Sequence, residues 1–166
     1  MRIVILGVGN ILLSDEGVGV RAVERFQREY RVPPGVEVID GGTAGMELLE
    51  DLANATHLII VDAVRSRKAP GTMVRIAGPD VPVFFKTKLS PHQVGLSDVL
   101  ATLAFNDEQP GGVTVFGVEP VSLDTGMALT PQVEALLPAL TSHLVAELAL
   151  FGIAVEPIDP IVQEAA

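Results

Sequence analysis

Two uninterrupted apolar runs constrain the fold of this chain more than any other feature. They span residues 2–6, RIVIL, and 57–64, HLIIVDAV, and both have the length and β-branched content of a strand. Strands that are covered on both faces read as continuous apolar runs, whereas half-exposed strands alternate. Between the two runs, apolar residues recur at helical spacing from Val18 to Tyr30. We therefore predict an α/β fold: a three-layer sandwich with a mostly parallel, twisted five-stranded sheet and helices on both faces.

The remaining elements continue the alternation of strands and helices. Further strands are predicted at 36–40 (VEVID), 71–78 (GTMVRIAG) and 113–120 (VTVFGVEP), and 71–78 is expected to pair antiparallel with 57–64. Helices are predicted at 44–55, at 95–105 and from Thr130 onwards. Pro138 predicts either a kink at that residue or a break near Leu137, and Gly152 is the expected stop of the last helix. Residues 1–152 are predicted to form one domain, followed by a loosely held tail at 153–166.

Composition limits the classes of partner. The formal net charge is −10 at pH 7, which argues against nucleic acid or an anionic membrane surface as a partner. The 166 residues contain no cysteine, so disulfides, thiolate metal ligands and a catalytic thiol are excluded. The first apolar run is too short to span a membrane and lacks the features of a signal peptide. We therefore expect a cytoplasmic protein.

Polar side chains gather where the predicted strands end. Asn10, Asp15 and Glu16 follow the first strand, the turn Asp40-Gly41-Gly42-Thr43 follows the second, and Asp62 ends the third. His92 lies in a long segment, 78–95, and is expected just before a helix. Ligands of parallel α/β sheets bind at the carboxyl ends of the strands. That edge is therefore the predicted functional site.

One interpretation of this edge is a dinucleotide site. Gly7 and Gly9 match the start of the glycine fingerprint, and Asp40 stands where a ribose-binding acid belongs. Leu12, however, replaces the third glycine. The carboxylates of Asp15 and Glu16 would also face a pyrophosphate with no Lys or Arg nearby, at a cost on the order of a few kcal/mol. We therefore expect no nucleotide.

The other interpretation is a metal site. Glu16, Asp62 and His92 come from three separate segments and supply two carboxylates and one imidazole, which suits a divalent transition ion with open coordination positions. Each residue also has an ordinary structural explanation. Glu16 at a helix N-terminus is stabilised by the dipole, Asp62 could cap a turn, and His92 could cap the following helix. Residue types alone leave these alternatives open.

Five segments in order resemble the hydrogenase maturation proteases: GVGNILLSDEGVG, DGGTAGMELL, LIIVDAV, SPHQVGL and FGVEP. The resemblance covers nearly all of residues 1–152. It implies an endopeptidase that removes a C-terminal extension from the precursor of a nickel–iron hydrogenase large subunit after nickel insertion. It also implies that Glu16, Asp62 and His92 are the metal-binding and catalytic residues, that the substrate supplies the nickel, and that the protein is a monomer.

Neighbouring residues receive supporting roles in this hypothesis. Asp40, Gly41, Gly42 and Thr43 are expected to bind the substrate tail, although a tight turn with Thr43 as a helix cap is the alternative. Asn10 and Asp15 are expected to orient the turn and Glu16. Glu119 either touches substrate or belongs to a bend before Pro120. The cleft should be bordered by apolar surface, and VPVFF at 81–85 is either a docking element or buried core. A nickel-sensing or chaperone protein that binds the precursor without cutting it is the second functional class.

Overall fold

The computed structural model describes residues 1–86 and 90–160, and this part of the chain folds as an alternating α/β protein. Its strands are β1 Ile3–Val8, β2 Tyr30–Arg31, β3 Val36–Gly42, β4 His57–Ala63, β5 Met73–Ala77, β6 Val113–Val118 and β7 Glu156–Pro157. Its helices are α1 Val18–Glu29, α2 Leu49–Leu52, α3 Asp80–Lys86, α4 Pro91–Phe105, α5 Pro131–Glu134 and α6 Leu137–Leu150. Short 3₁₀ turns cover Ser14–Gly17 and Met46–Leu48.

The main sheet has five strands in the order β3-β1-β4-β6-β5. The first four run parallel, and β5 runs antiparallel to β6. The predicted five-stranded, mostly parallel sheet is therefore confirmed. The apolar run at 57–64 is the middle strand, and Leu58, Ile59, Ile60 and Val61 have no exposed surface. Burial on both faces is what its lack of alternation predicted.

The predicted pairing of residues 71–78 with β4 was wrong. β5 pairs with β6 instead, because β6 occupies the edge of β4 with Leu58–Ala63 set in parallel against Val113–Val118. The two candidates differ in burial: β6 is almost entirely buried, whereas every residue of β5 is at least partly exposed. The more apolar strand therefore takes the inner position and β5 lies at the edge.

Helices cover both faces of the sheet, as the three-layer prediction required. Successive side chains of β1 alternate between the two cores: Ile3 and Ile5 pack with α1 and α6, while Val4 and Leu6 pack against α2, α3 and α4. Full burial of each such side chain contributes about 1.5–3 kcal/mol. The strands are thus fixed from both sides, so their carboxyl ends form a rigid platform for the loops.

The C-terminal helical region is broken where the sequence predicted. α5 ends at Glu134 and α6 begins at Leu137, with Pro138 in its first turn. By length and composition alone, Pro131–Leu150 is apolar enough to cross a membrane. Its stripe nevertheless packs onto the sheet, with Val133, Leu144 and Leu148 fully buried. Gly152, expected to stop the helix, has a φ of 75° just beyond its end.

Three local predictions need correction. The helix at 44–55 is shorter than expected and consists of the Met46–Leu48 turn followed by α2. The segment before His92 contains α3, and α4 begins at Pro91, so His92 lies inside the first turn of a helix rather than before it. Part of the tail is held in place, because Glu156–Pro157 pairs with Tyr30–Arg31. Residues 87–89 of the same segment and 161–166 of the tail lie outside the described residues.

Candidate active site

Glu16, Asp62 and His92 meet at the carboxyl end of the sheet. The 3₁₀ turn after β1 carries Glu16, the end of β4 carries Asp62, and the first turn of α4 carries His92. His92 Nδ1 lies 3.2 Å from Glu16 Oε1, and Nε2 lies 3.1 Å from Asp62 Oδ1. Ser90 Oγ is a further 3.1 Å neighbour of Nδ1. The imidazole is thus clamped between two carboxylates that the sequence separates by 46 residues (62 − 16).

Gly9 makes room for the turn that carries Glu16. Its φ is 131°, and a Cβ at this position would lie 1.9 Å from the carbonyl oxygen of Glu16. Only glycine adopts this conformation readily and allows the backbone to approach so closely. The second glycine of the partial fingerprint, Gly9, is therefore explained by the folding of the turn onto itself.

Asp62 and His92 are the most deeply buried of the three residues. Asp62 is 1% exposed and His92 is 5% exposed, whereas the Glu16 side chain retains 14% of its surface. Burial alone lowers the pKa of His92, but the hydrogen bond with Asp62 and the charges of both carboxylates outweigh it and raise that pKa above its usual value. Burial raises the pKa of Asp62, and the hydrogen bonds from His92 and Gln93 offset part of that rise. The geometry favours the proton on His92, because an imidazolium donates from both ring nitrogens.

Gln93 is a site residue that sequence reasoning missed. Its Nε2 donates to Asp62 Oδ2 at 2.9 Å and to the carbonyl oxygen of Ala63 at 3.0 Å. These two bonds fix the rotamer of the Asp62 carboxylate. The signal that could have found Gln93 is its position beside His92 in the first turn of a helix, where two consecutive side chains reach the end of the same strand.

A small open cavity lies above the three residues. Its volume is about 70 Å³, and Glu16, His92 and Gln93 line it together with Val64, Arg65 and Pro120. Its walls come from the loops that follow β1, β4 and β6, together with the start of α4. The cavity therefore brings a substrate group directly onto Glu16 and His92.

The donor set suits a divalent transition ion, but the side chains as placed contact one another. Across residues 1–86 and 90–160, no group of three or more His, Asp or Glu side chains is arranged to hold a metal ion. Coordination requires a neutral ring nitrogen, so a metal ion must displace a carboxylate from His92 and release its proton. The three residues fit such an ion chemically, after a rotation of the imidazole or of a carboxylate.

Asp15 and Asn10 shape the turn without touching the cavity. Asp15 is fully buried and accepts hydrogen bonds from the backbone amides of Val121, Ser122 and Thr130. Asn10 Oδ1 accepts the amide of Leu12 at 2.9 Å. Asn10 thus fixes the backbone that precedes Glu16, and Asp15 ties the turn of Glu16 to the loop after β6.

The turn at 40–43 lies beside a separate depression. Asp40, Gly42 and Thr43 line it together with Asn10 and Leu12, and its volume is about 290 Å³. Asp40 Oδ1 accepts the amide of Gly42 at 3.0 Å, and Gly41 is buried within β3. Thr43 caps no helix, since Gly45 precedes the Met46–Leu48 turn without a side-chain cap. The structure therefore brings these residues together next to the turn of Glu16 but not into its cavity.

Glu119 has a structural partner. Its Oε2 accepts the backbone amide of Ser66 at 2.6 Å and the Ser66 hydroxyl at 2.9 Å. The carboxylate therefore ties the loop after β4 to the end of β6. This geometry favours the bend that the sequence left as an alternative to substrate contact.

Exposed apolar side chains surround the site, as predicted for a bordering surface. They occur in the loops that follow β1, β3 and β6 and in the first turn of α4, and we call this group the apolar rim: Leu12, Met46, Val94, Val121 and Met127. The VPVFF segment divides between the two predicted roles. Val81 and Phe85 are buried in the core, whereas Val83 is 57% exposed.

Comparisons with known proteins identify the class to which this fold and site belong. The family model for hydrogenase maturation proteases matches residues 20–147. The chain belongs to the hydrogenase maturation protease family and is therefore an endopeptidase.

The similarity extends over whole chains. The chain is 51% identical over 162 residues to the hydrogenase 2 maturation protease of Escherichia coli, covering 97% of this chain and 99% of that one. The solved structure of the E. coli hydrogenase maturating endopeptidase HybD superposes with a TM-score of 0.91 at 51% identity, covering 95% of this chain and 98% of that chain. A NiFe hydrogenase maturation protease from Thermococcus kodakarensis superposes with a TM-score of 0.73 at 26% identity, covering 87% and 97%.

Proposed function

We propose that this protein removes the C-terminal extension of a nickel–iron hydrogenase large-subunit precursor after nickel has been inserted. Nickel enters as part of the substrate, and Glu16, Asp62 and His92 engage it. The observation that carries the proposal is the contact of these three side chains directly beneath an open cavity, with His92 Nδ1 and Nε2 at 3.2 Å and 3.1 Å from the two carboxylates. A donor set of two oxygens and one nitrogen leaves coordination positions for ligands that the substrate brings.

The mutual contacts within the site support a checkpoint. In the free protein His92 contacts both carboxylates, and despite burial its pKa is raised by the Asp62 hydrogen bond and by the two negative charges, so a metal ion has to displace these contacts and any proton that the ring holds. When the precursor already holds the nickel ion, the binding energy of the whole protein–protein interface helps that ion to displace the contacts of His92. Recognition then requires both the precursor and its metal, which makes cleavage conditional on nickel insertion.

Engagement of the nickel also places the scissile bond. Hydrolysis breaks the amide C–N bond, adds hydroxide from water to the carbonyl carbon and returns a proton to the leaving nitrogen. A metal ion can supply Lewis acidity for the carbonyl or for the water. Asp62 and Gln93 hold His92 in position through hydrogen bonds of 3.1 Å and 2.9 Å that meet at the Asp62 carboxylate.

Two surfaces beside the cavity suit a protein substrate. The apolar rim can pack against the folded large subunit, as the central residues of protein interfaces do. The depression beside Asp40, Gly42 and Thr43 offers polar groups to an extended peptide. Because Gly42 has no Cβ, such a peptide can approach its backbone closely. We propose that these residues, with Gly41 behind them, bind the substrate tail, and that the protein acts as a cytoplasmic monomer. The relative from T. kodakarensis, described as a NiFe hydrogenase maturation protease, supports the choice of substrate.

The test is the mass of a cognate precursor after incubation with this protein, with and without nickel loading. We expect loss of a C-terminal peptide from the loaded precursor only. Asp62→Asn preserves volume but removes the charge that holds His92, and it should abolish the mass change. Asp98→Asn is the matched control, because Asp98 is exposed on α4 and its carboxylate lies outside the site; this variant should cut at the wild-type rate.

Each outcome has a definite meaning. An unchanged mass of a nickel-loaded cognate precursor would overturn the proposal and leave a binding protein or chaperone as the remaining class. Equal cleavage of loaded and nickel-free precursor would retain the endopeptidase but remove nickel as the recognition element.

A further inference from the structure

Basic residues are concentrated in one segment of this acidic chain. Residues 64–79 contain Arg65, Arg67, Lys68 and Arg75, four of the 11 Lys and Arg residues, and no Asp or Glu. The chain as a whole has a formal net charge of −10. The segment runs from the end of β4 through β5, directly beside the cavity of the site. A local reversal of charge next to a cleft focuses an attractive field on anionic groups.

The segment forms one wall of a groove. The groove has a volume of about 300 Å³ and lies between the loop after β4, the edge strand β5 and α3. Its apolar surface comes from Val64, Ile76, Val83 and Phe84, and Arg65 stands at its side. Val64 and Arg65 also line the cavity of the active site, so the groove and the cavity adjoin at these two residues.

Arg65 is the cation that the groove offers to a ligand. Arg75 is already neutralised by Glu147, at 2.9 Å. Arg65 is exposed, and it has no ion-pair partner within the described part of the chain. The acid in the groove lining is Asp80, at the start of α3, and it offsets one positive charge. Arg67 and Lys68 extend the positive potential along the exposed loop.

The backbone beside Arg65 is firmly anchored. The amide of Val64 donates to the carbonyl oxygen of Val118 at 2.9 Å, and the Glu119 carboxylate accepts both the amide and the hydroxyl of Ser66. Arg65 therefore stands between two fixed residues. The position of the Arg65 backbone beside the cavity is therefore set by its neighbours, while its exposed side chain is free to turn toward a ligand.

We propose that this groove binds the C-terminal extension of the precursor, with an acidic side chain of the extension on Arg65 and apolar side chains against Val64, Val83 and Phe84. This inference rests on the proposed function and adds to it a specificity element. The nickel-bearing part of the substrate occupies the cavity, and the extension leads away from it past Val64 and Arg65. The depression beside Asp40, Gly42 and Thr43 then takes the part of the substrate tail that precedes the scissile bond.

The first experiment measures cleavage of the nickel-loaded precursor by Arg65→Glu. We expect KM to rise about tenfold, the equivalent of one charge-assisted hydrogen bond, while kcat stays within about twofold. Salt should weaken wild-type binding and have little effect on the variant. Arg28→Glu is the matched control, because it makes the same charge change at an exposed position on α1. Equal KM values for the two variants would overturn the proposal that the extension contacts Arg65 in the groove.

A charge swap identifies the partner residue. Each acidic residue of the extension is replaced in turn by lysine, and each precursor is offered to wild type and to Arg65→Glu. We expect one replacement that wild type cuts poorly and that Arg65→Glu cuts efficiently. A precursor with an amidated C-terminus is tested as well. The proposal is contradicted if Arg65→Glu rescues none of the lysine replacements, or if amidation of the terminal carboxylate is the one change that it tolerates better than wild type.

A binding experiment separates this inference from the proposed function. Wild-type protein is titrated with a blocked pentapeptide of alternating leucine and glutamate and with its leucine–lysine counterpart, while amide NMR signals are followed. We expect the acidic peptide to shift Ser66 and Val83, and Arg65→Gln to weaken the response. If these shifts are absent, binding of an acidic peptide in the groove is overturned, even when the precursor is cut. If the shifts are present but the precursor is not cut, the proposed cleavage of that precursor is overturned and peptide binding in the groove is retained.

Discussion

Replacing Asp15 with asparagine is predicted to loosen the loop that follows β6, residues 119–130. Asp15 is fully buried, and its two oxygens serve different parts of this loop. Oδ2 accepts the amides of Val121 and Ser122 at 3.0 Å and 3.1 Å, and Oδ1 accepts the amide of Thr130 at 2.8 Å. The Thr130 hydroxyl donates to both oxygens. One carboxylate thus joins the turn of Glu16 to both ends of a loop that forms a wall of the cavity.

The magnitude follows from the number of donors that asparagine leaves unpaired. With its amide oxygen in the place of Oδ2, it keeps Val121 and Ser122, and its NH₂ group can donate to the Thr130 hydroxyl, but the amide of Thr130 loses its acceptor. The reverse orientation leaves two backbone amides, those of Val121 and Ser122, without an acceptor, so the first is preferred. One unpaired buried amide costs about 1–3 kcal/mol, and the retained bonds weaken once the charge is gone. We therefore expect a loss of about 2–3 kcal/mol in the free energy of unfolding.

Urea denaturation followed by circular dichroism at neutral pH measures this loss, and hydrogen exchange of the Thr130 amide locates it. Asp124→Asn is the matched control in the same loop, because Asp124 is exposed and surface substitutions change stability by no more than about 0.5 kcal/mol. The reasoning is refuted if Asp15→Asn is as stable as Asp124→Asn, or if exchange at Thr130 is unchanged.

Three further predictions concern packing, pH and docking. Gly19→Ala should destabilise the protein by about 2–3 kcal/mol in urea despite its better helix propensity, because its Cβ would lie 2.0 Å from the carbonyl oxygen of Val61; a stability gain would contradict the close approach of α1 to the sheet. Burial tends to raise the pKa of Glu147, but hydrogen bonds from Arg75 and Thr114 lower it overall, so its stabilising effect is present above the usual glutamate pKa and is lost as pH falls through the lowered one. The stability difference between wild type and Glu147→Gln should therefore shrink on acidification below about pH 4.5, and a difference that grows would refute the sign. Leu12→Asp should raise KM for the precursor about tenfold through loss of apolar contact, whereas Phe105→Asp, at an 89% exposed residue on the far end of α4, should leave it unchanged; equal effects would exclude the apolar rim as the docking surface.

The sequence predicted the strands of the main sheet better than the contacts between distant segments. A continuous apolar run is sufficient to place β4 at the centre, because only a strand covered on both faces tolerates it. The proximity of Glu16 and Asp62 followed from the parallel direction of β1 and β4, which brings their carboxyl ends to one edge, whereas His92 reaches them from the first turn of α4. Assigning roles to the three residues, however, needed the family resemblance, since each has an ordinary structural explanation.

What the sequence could not predict depends on contacts between distant segments. A strand pattern carries no information about its neighbour, so the partner of β5 was misassigned. The bonds from Asp15 to Val121 and Thr130 span 106 and 115 residues, and no local pattern encodes them. Gln93 was missed because a glutamine in the first turn of a helix is ordinary until the orientation of that turn toward Asp62 is known.

The charge arrangement connects the opening turn of the chain to the proposed checkpoint. Two carboxylates on opposite sides of one imidazole, one buried and one partly exposed, repel each other unless a cation lies between them. In the free protein the cation is His92, held at 3.2 Å and 3.1 Å from the two acids, and the hydrogen bonds from Gln93 keep Asp62 in place. Under the proposed function, nickel replaces the proton of His92 as the positive charge between the acids. The same three residues then favour a protonated resting state in the absence of precursor and a metal-bound state in its presence, so the selectivity arises from competition between two cations for one pair of carboxylates.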